Sequence, residues 1–238
     1  LKPNLILRGI SENSNEICLD YGFFALAGSK THGALYVKDA ITKGANLIIT
    51  DTQGLKIIGE MQLNAAIIIF SEPRKLISEI ATYFFTKIPH NIVGITGTNG
   101  KTSVAHYIRQ FWEKLGYNSA SIGTTGVNGL INFKTQHTTP DAITLRWYLN
   151  KLVKKGVDKI ALEASSHGLV QDRLNGIKMS IGVFTNLSRD HYDFHRNINS
   201  YFDAKAILFK ELVEENGGAA IAIDGPKGDL MLKIAQSR

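Results

Sequence analysis

Residues 94–103, GITGTNGKTS, constrain this chain more than any other stretch. The β-forming residues Ile92, Val93 and Ile95 lead into it, and Val104, Tyr107, Ile108, Phe111 and Leu115 follow at helical spacing. Strand, glycine-rich turn and helix start predict a loop whose backbone amides and positive helix end hold phosphate oxygens. Gly97 and Gly100 permit positive φ and close approach of a ligand. Lys101 offers a point charge for phosphates, and the Thr102 hydroxyl offers a ligand for Mg²⁺. The stretch departs from G-x-x-x-x-G-K-[ST], because Ile95 stands where that pattern has its first glycine. A plain glycine-rich turn would read similarly; the Gly-Lys-Thr at the strand-to-helix junction favours the phosphate cradle.

The rest of the chain reads as α/β. Its 238 residues suffice for one large domain or two smaller ones, and 44% hydrophobic with 20% charged content indicates a globular protein. Residues 1–89 form a small first domain, with strands at 23–26, 47–50 and 65–70 and helices at 34–43 and from Pro73 to Phe85. Pro89 marks the boundary. Over 90–238 strands (91–95, 118–123, 159–163, 180–185, 219–224) alternate with helices (102–115, 141–155, 199–215, 227 onward), with a turn at 126–129. That order predicts a mostly parallel sheet flanked by helices. No apolar run reaches the roughly 18 residues of a membrane span. The opening LKPNLILRGI has no initiator Met and no signal peptide, which suggests trimming. Cys18 is the single cysteine, so a reducing cytoplasm fits. The net charge of +6 is scattered, which argues against nucleic acid as a partner.

Ligands of open α/β sheets bind beyond the carboxyl ends of strands. Glu163 ends a strand in IALEASSHG, where it either stays solvated or reaches a Mg²⁺ on Thr102. The segment FTNLSRDHYDFH, 184–195, carries Asp190, His191, Asp193 and His195, which suit metal ligation or proton transfer; a helix-capping polar loop would also look like this. Lys205 lies on the apolar stripe of Tyr201, Leu208, Phe209 and Leu212. Such a lysine usually snorkels to water, and the alternative is a desolvated amine of lowered pKa.

Five stretches in order, GITGTNGKT (94–102), HTTPDA (137–142), LEASSHGLVQDRL (162–174), VFTNLSRDHYDFH (183–195) and FDAKAILF (202–209), resemble the Mur ligases, most closely the MurE type. The resemblance implies an ATP-dependent ligase adding meso-diaminopimelate or L-lysine to UDP-MurNAc-L-Ala-D-Glu through an acyl phosphate. It implies a first domain for the UDP-linked precursor and a central ATP-binding domain. A third domain, for the incoming amino acid, is not among these residues. Thr96, Gly97, Thr98, Asn99, Gly100, Lys101 and Thr102 would hold ATP. Thr102 and Glu163 would hold one Mg²⁺, and His191 with a carbamylated Lys205 a second. Lys101, His191 and Lys205 would be catalytic. Thr138, Thr139, Ser165, Gln171 and Arg173 would contact the muramoyl peptide, and Ser14 and the Ser29–Thr31 loop the uridine end. A cytoplasmic monomer is expected. Departures occur at Asn13 and Asn15, where the family has Asp and Arg, at His137 in place of Asn, and at Ala222 in place of Asn. A truncated remnant that binds nucleotide or precursor without catalysis is the competing reading, and a folylpolyglutamate-type ligase a weaker one.

Overall fold

The computed structural model describes residues 5–28, 31–190 and 194–237. The chain folds as two compact α/β units that divide between Phe84 and Phe85. In the first, β1 (Gly9–Ser11), β2 (Tyr21–Ala25), β3 (Ala45–Thr50) and β4 (Ala66–Ile69) form a parallel sheet in chain order. The helices are α1 (Val37–Thr42), α2 (Thr52–Ile58) and α3 (Pro73–Phe84). Phe23, Ala25, Val37, Ala40, Ile48 and Ile58 make the core of this unit. Sequence patterning misses β1 and α2. The first is only three residues long, and the second is set by Asp51, whose carboxylate accepts from Gly54 N at 2.7 Å.

The second unit begins with β5 (Asn91–Thr96), α4 (Lys101–Lys114) and β6 (Ser119–Gly123). β7 (Gly126–Gly129), α5 (Ala142–Lys154), β8 (Lys159–Glu163) and α6 (Ser166–Val170) follow. The unit closes with β9 (Met179–Phe184), α7 (Ile198–Ile207), β10 (Val213–Ile221) and α8 (Gly228–Gln236). Its sheet runs β10-β9-β5-β8-β6-β7, parallel except for β7. The mostly parallel sheet flanked by helices is the predicted architecture. One face is covered by α4 through Val104, Ala105, Ile108 and Trp112. The other packs Ile92, Ile122 and Leu162 against Leu145 and Leu149 of α5 and against Leu208 and Phe209.

Three local expectations are corrected. Residues 126–129 are not a turn: they pair antiparallel with β6, Ile122 opposite Val127. The helix expected over 199–215 ends at Ile207, continues as one π-helical stretch, Leu208–Leu212, and passes into β10 at Val213. There, pairing of Val213 with Met179 overrides the helical preference of Glu214 and Glu215. On α4, Tyr107, Phe111 and Leu115 are exposed (59%, 66% and 71%), so the buried stripe is the neighbouring one.

Candidate functional site

The sheet order makes β5 a switch point. The chain leaves β5 for β6 on one side, returns to β8 beside it, and then crosses to β9 on the other. Connections that depart in opposite directions open a crevice at the carboxyl end of the strand between them. The loop Gly97–Gly100 lies there, with the ends of β6, β8 and β9 around it.

Gly97 has φ +148° and Gly100 φ +84°, conformations that favour glycine. At Gly97 there is also no room for a side chain, since a Cβ would lie 1.9 Å from Thr185 Oγ1. Gly100 is the N-cap of α4, so the first amides of the helix point into the crevice. The loop is held by Thr98, whose N–H donates to Asn186 O at 3.0 Å and whose Oγ1 accepts from Ser188 N at 3.0 Å. Tyr201 also hydrogen-bonds the Thr98 side chain. Thr96, at the end of β5, is fully buried.

Two lysines meet beneath this loop. Lys101 Nζ donates to Gly97 O at 2.9 Å and Thr98 O at 2.7 Å, and Lys205 Nζ donates to the same Gly97 oxygen at 2.8 Å. Lys205 is 1% exposed and lies over the Tyr201 ring, so it does not snorkel. Burial, aided by the Lys101 ammonium and opposed by Asp190, lowers its pKa to about 7. Lys101 is also lowered, by burial, with Glu163 and Asp190 opposing. Asp190 thus lies close enough to the loop to act on both ammonium groups. His191 and Asp193 lie outside the described residues.

Glu163 is not solvated at its strand end: it is 1% exposed. Its carboxylate accepts from Thr102 Oγ1 at 3.0 Å, Thr124 N at 3.0 Å and Thr124 Oγ1 at 3.2 Å. A Cβ on Gly123 would sit 1.9 Å from Glu163 Oε1, so the end of β6 has to be glycine for the carboxylate to lie there. Buried hard oxygen donors beside a phosphate-type loop suit Mg²⁺, which is usually held by one or two carboxylates together with substrate phosphates and water. No cluster of three or more His, Cys, Asp or Glu occurs among the described residues.

A second polar group adjoins Glu163. Thr124 Oγ1 meets Thr138 Oγ1 at 3.0 Å. Thr139 is buried, donates from Oγ1 to Glu163 O at 2.7 Å, and accepts from Ser165 N at 2.9 Å. Ser165 caps α6 by accepting from Gly168 N at 3.1 Å. Arg173 donates to Thr139 O at 2.7 Å and clasps Gln171 Oε1 with Nη2 at 2.7 Å. Thr138, Thr139, Ser165, Gln171 and Arg173 are therefore linked by hydrogen bonds into one chain that includes Thr124 and Glu163. His137 beside it has a lowered pKa, from burial and then from Arg173, with Asp141 opposing.

In the first unit, Ser14 is buried in a short 3₁₀ turn, and hydrogen bonds from Lys43 and then Ser14 lower the Asp39 pKa. Gly28 N donates to Thr31 O at 2.8 Å; Ser29 and Lys30 lie outside the described residues. Sequence reasoning missed Gly123, Thr124 and Thr185. Their position at strand ends marks them only as near a ligand crevice; the sheet order alone brings them to Glu163 and to the loop.

The sequence profile described as the Mur ligase middle domain matches residues 95–238. UDP-N-acetylmuramoyl-L-alanyl-D-glutamate--2,6-diaminopimelate ligase of Bradyrhizobium diazoefficiens is 45% identical over 205 residues, covering 85% of this chain and 41% of that protein. The protein of the same name from Mesorhizobium japonicum is 40% identical over 235 residues, covering 98% of this chain and 48% of that one. A solved structure, again of a UDP-N-acetylmuramoyl-L-alanyl-D-glutamate--2,6-diaminopimelate ligase, superposes with a TM-score of 0.79 at 33% identity, covering 98% of this chain and 46% of the other. The chain thus spans less than half the length of these relatives.

Proposed function

The chain belongs to the Mur ligase family, and from that premise we propose that the protein takes part in ATP-dependent ligation of a third amino acid to UDP-MurNAc-L-Ala-D-Glu. The names of the relatives support 2,6-diaminopimelate over lysine as that amino acid. The observation that carries the reading is the meeting of Lys101, Thr102, Glu163 and Lys205 around one glycine loop at the sheet switch point.

In this reading the γ-phosphoryl of ATP passes to the terminal carboxylate of the precursor, and the amino acid's amine then attacks the acyl phosphate. Phosphoryl transfer needs positioning and charge neutralisation more than covalent help from the protein. The Thr96–Thr102 loop holds the phosphates through those of its backbone amides that have no protein acceptor, and Lys101 turns its ammonium from the loop carbonyls to the anion. Thr102 and Glu163 would hold one Mg²⁺, and His191 with Lys205 would hold a second. When bound, Mg²⁺ supplies positive charge to the transferring group. Lys205 contributes as a carbamate: its neutral amine forms a C–N bond to CO₂ and releases a proton to water. An amine with a pKa of about 7 is largely neutral at slightly alkaline pH, which that reaction requires. Thr138, Thr139, Ser165, Gln171 and Arg173 orient the muramoyl peptide, and Ser14 with the Ser29 loop the uridine end. The first unit is then the precursor-binding domain and the second the ATP-binding domain. We place the protein in the cytoplasm, as a monomer, where such precursors are made. Among the described residues no helix is long and apolar enough to cross a membrane.

Lys101→Ala in the full-length enzyme is expected to abolish ATP-dependent acyl phosphate formation; unchanged turnover would refute the reading. Ala222, where the resemblance expects asparagine, favours a second reading in which the protein binds nucleotide or precursor without ligating. Peptide-bond formation measured alongside binding of each ligand separates the two.

A further inference from the structure

The side-chain amide of Asn186, just past β9, pairs with the main chain of Asn99 as a neighbouring strand would. Its Oδ1 accepts from Asn99 N at 3.0 Å, and its Nδ2 donates to Asn99 O at 3.1 Å. Thr185 Oγ1 donates to the same carbonyl at 2.7 Å, and the Asn186 carbonyl accepts from Thr98 N at 3.0 Å. Four hydrogen bonds from two consecutive residues therefore fix the crest of a loop whose flanking glycines would otherwise leave it free. We propose that Asn186, supported by Thr185, is a positioning residue for phosphate binding. It acts through the backbone of Asn99.

The inference rests on reading the loop as a phosphate cradle and deepens it in two ways. First, the Thr98 and Asn99 amides are committed to protein acceptors, so an anion is taken by the amides that follow, from Gly100 to Thr102. Secondly, a glycine loop without this brace would have to lose its freedom at the moment of binding, which weakens affinity. An amide suits the task because it alone offers donor and acceptor side by side; the backbone of Asn99 presents the complementary pair.

The test uses the full chain, Mg²⁺ and a fluorescent ADP analogue, with melting temperature and hydrogen exchange of the loop peptide read in parallel. Asn186→Ala is expected to weaken ADP binding about tenfold and to speed exchange of the Asn99 amide by a similar factor, while the melting temperature moves little. Asn186→Asp fits the same space and keeps the acceptor, but it loses the donor and adds an anion, so binding falls at least as far. A space-filling role would tolerate it. Binding within twofold of wild type in both variants would overturn the inference and leave the cradle standing. Failure of the wild-type chain to bind would overturn the cradle reading itself. Should Asn186→Ala not fold, Thr185→Val removes one of the four bonds; it is expected to weaken binding about threefold, and unchanged affinity would overturn the proposal.

Discussion

A lysine amine that is 1% exposed and shares one carbonyl oxygen with a second ammonium does not hold its proton in the usual range. With Lys205 at about 7 in the fold and 10.5 unfolded, the unfolded chain carries the extra proton between those values. The contribution of this group therefore makes the fold more stable as pH rises through that window. Thermal melts of wild type and Lys205→Met at pH 7 and pH 9.5 should show wild type gaining on the variant at the higher pH; parallel shifts would refute the assignment. Gly123 makes the same point sterically. Gly123→Ala should push the Glu163 carboxylate off its Thr102 and Thr124 partners, cost about 1–3 kcal/mol in denaturant melts and abolish Mg²⁺-dependent nucleotide binding. Neither residue's role was legible in the sequence alone. Helical spacing put Lys205 on the inward stripe, but not whether its amine escapes to water. Nothing about a glycine at a strand end reveals the carboxylate across from it on another strand.

At the scale of elements, the strand-loop-helix at 91–114 was legible because every local signal agreed: β-branched residues, two glycines, then Lys-Thr at a helix start. Which face of α4 is buried was not. Two apolar stripes share the helix and its C-cap, and the one formed by Tyr107, Phe111 and Leu115 is exposed. Val104, Ala105, Ile108 and Trp112 pack on Val93, Ile95 and Ala161 instead. Phe111→Ser should accordingly change stability by no more than about 0.5 kcal/mol in a denaturant titration. Ile108→Ala should cost about 1–2 kcal/mol, less than a fully buried truncation because Ile108 is only partly covered. The transition from α7 through the π-helical stretch into β10 was hidden for a different reason: only the partner strand β9 decides it, and a local window does not contain β9.

For the molecule as a whole, the alternation of strands and helices was enough to predict a parallel sheet; of Glu163, His191 and Lys205, expected to converge on the loop, Glu163 and Lys205 meet it among the described residues. The order β10-β9-β5-β8-β6-β7 turns that alternation into a site. It places the ends of β5, β6, β8 and β9 side by side, so that residues as far apart in sequence as Gly97 and Lys205 meet at 2.8 Å. Spacing along the chain carries no such distance information, which is why Thr124 and Thr185 emerged only from the fold. The central claim is that these strand ends build one anion and cation site. Diffraction from crystals grown with ADP and Mn²⁺, with the anomalous signal of the metal, tests it most directly. A manganese peak on Thr102 Oγ1 and the Glu163 carboxylate, with the β-phosphate against the amides of Gly100–Thr102, is the predicted result. ADP or manganese bound away from this loop, or neither bound at saturating concentration, would contradict it.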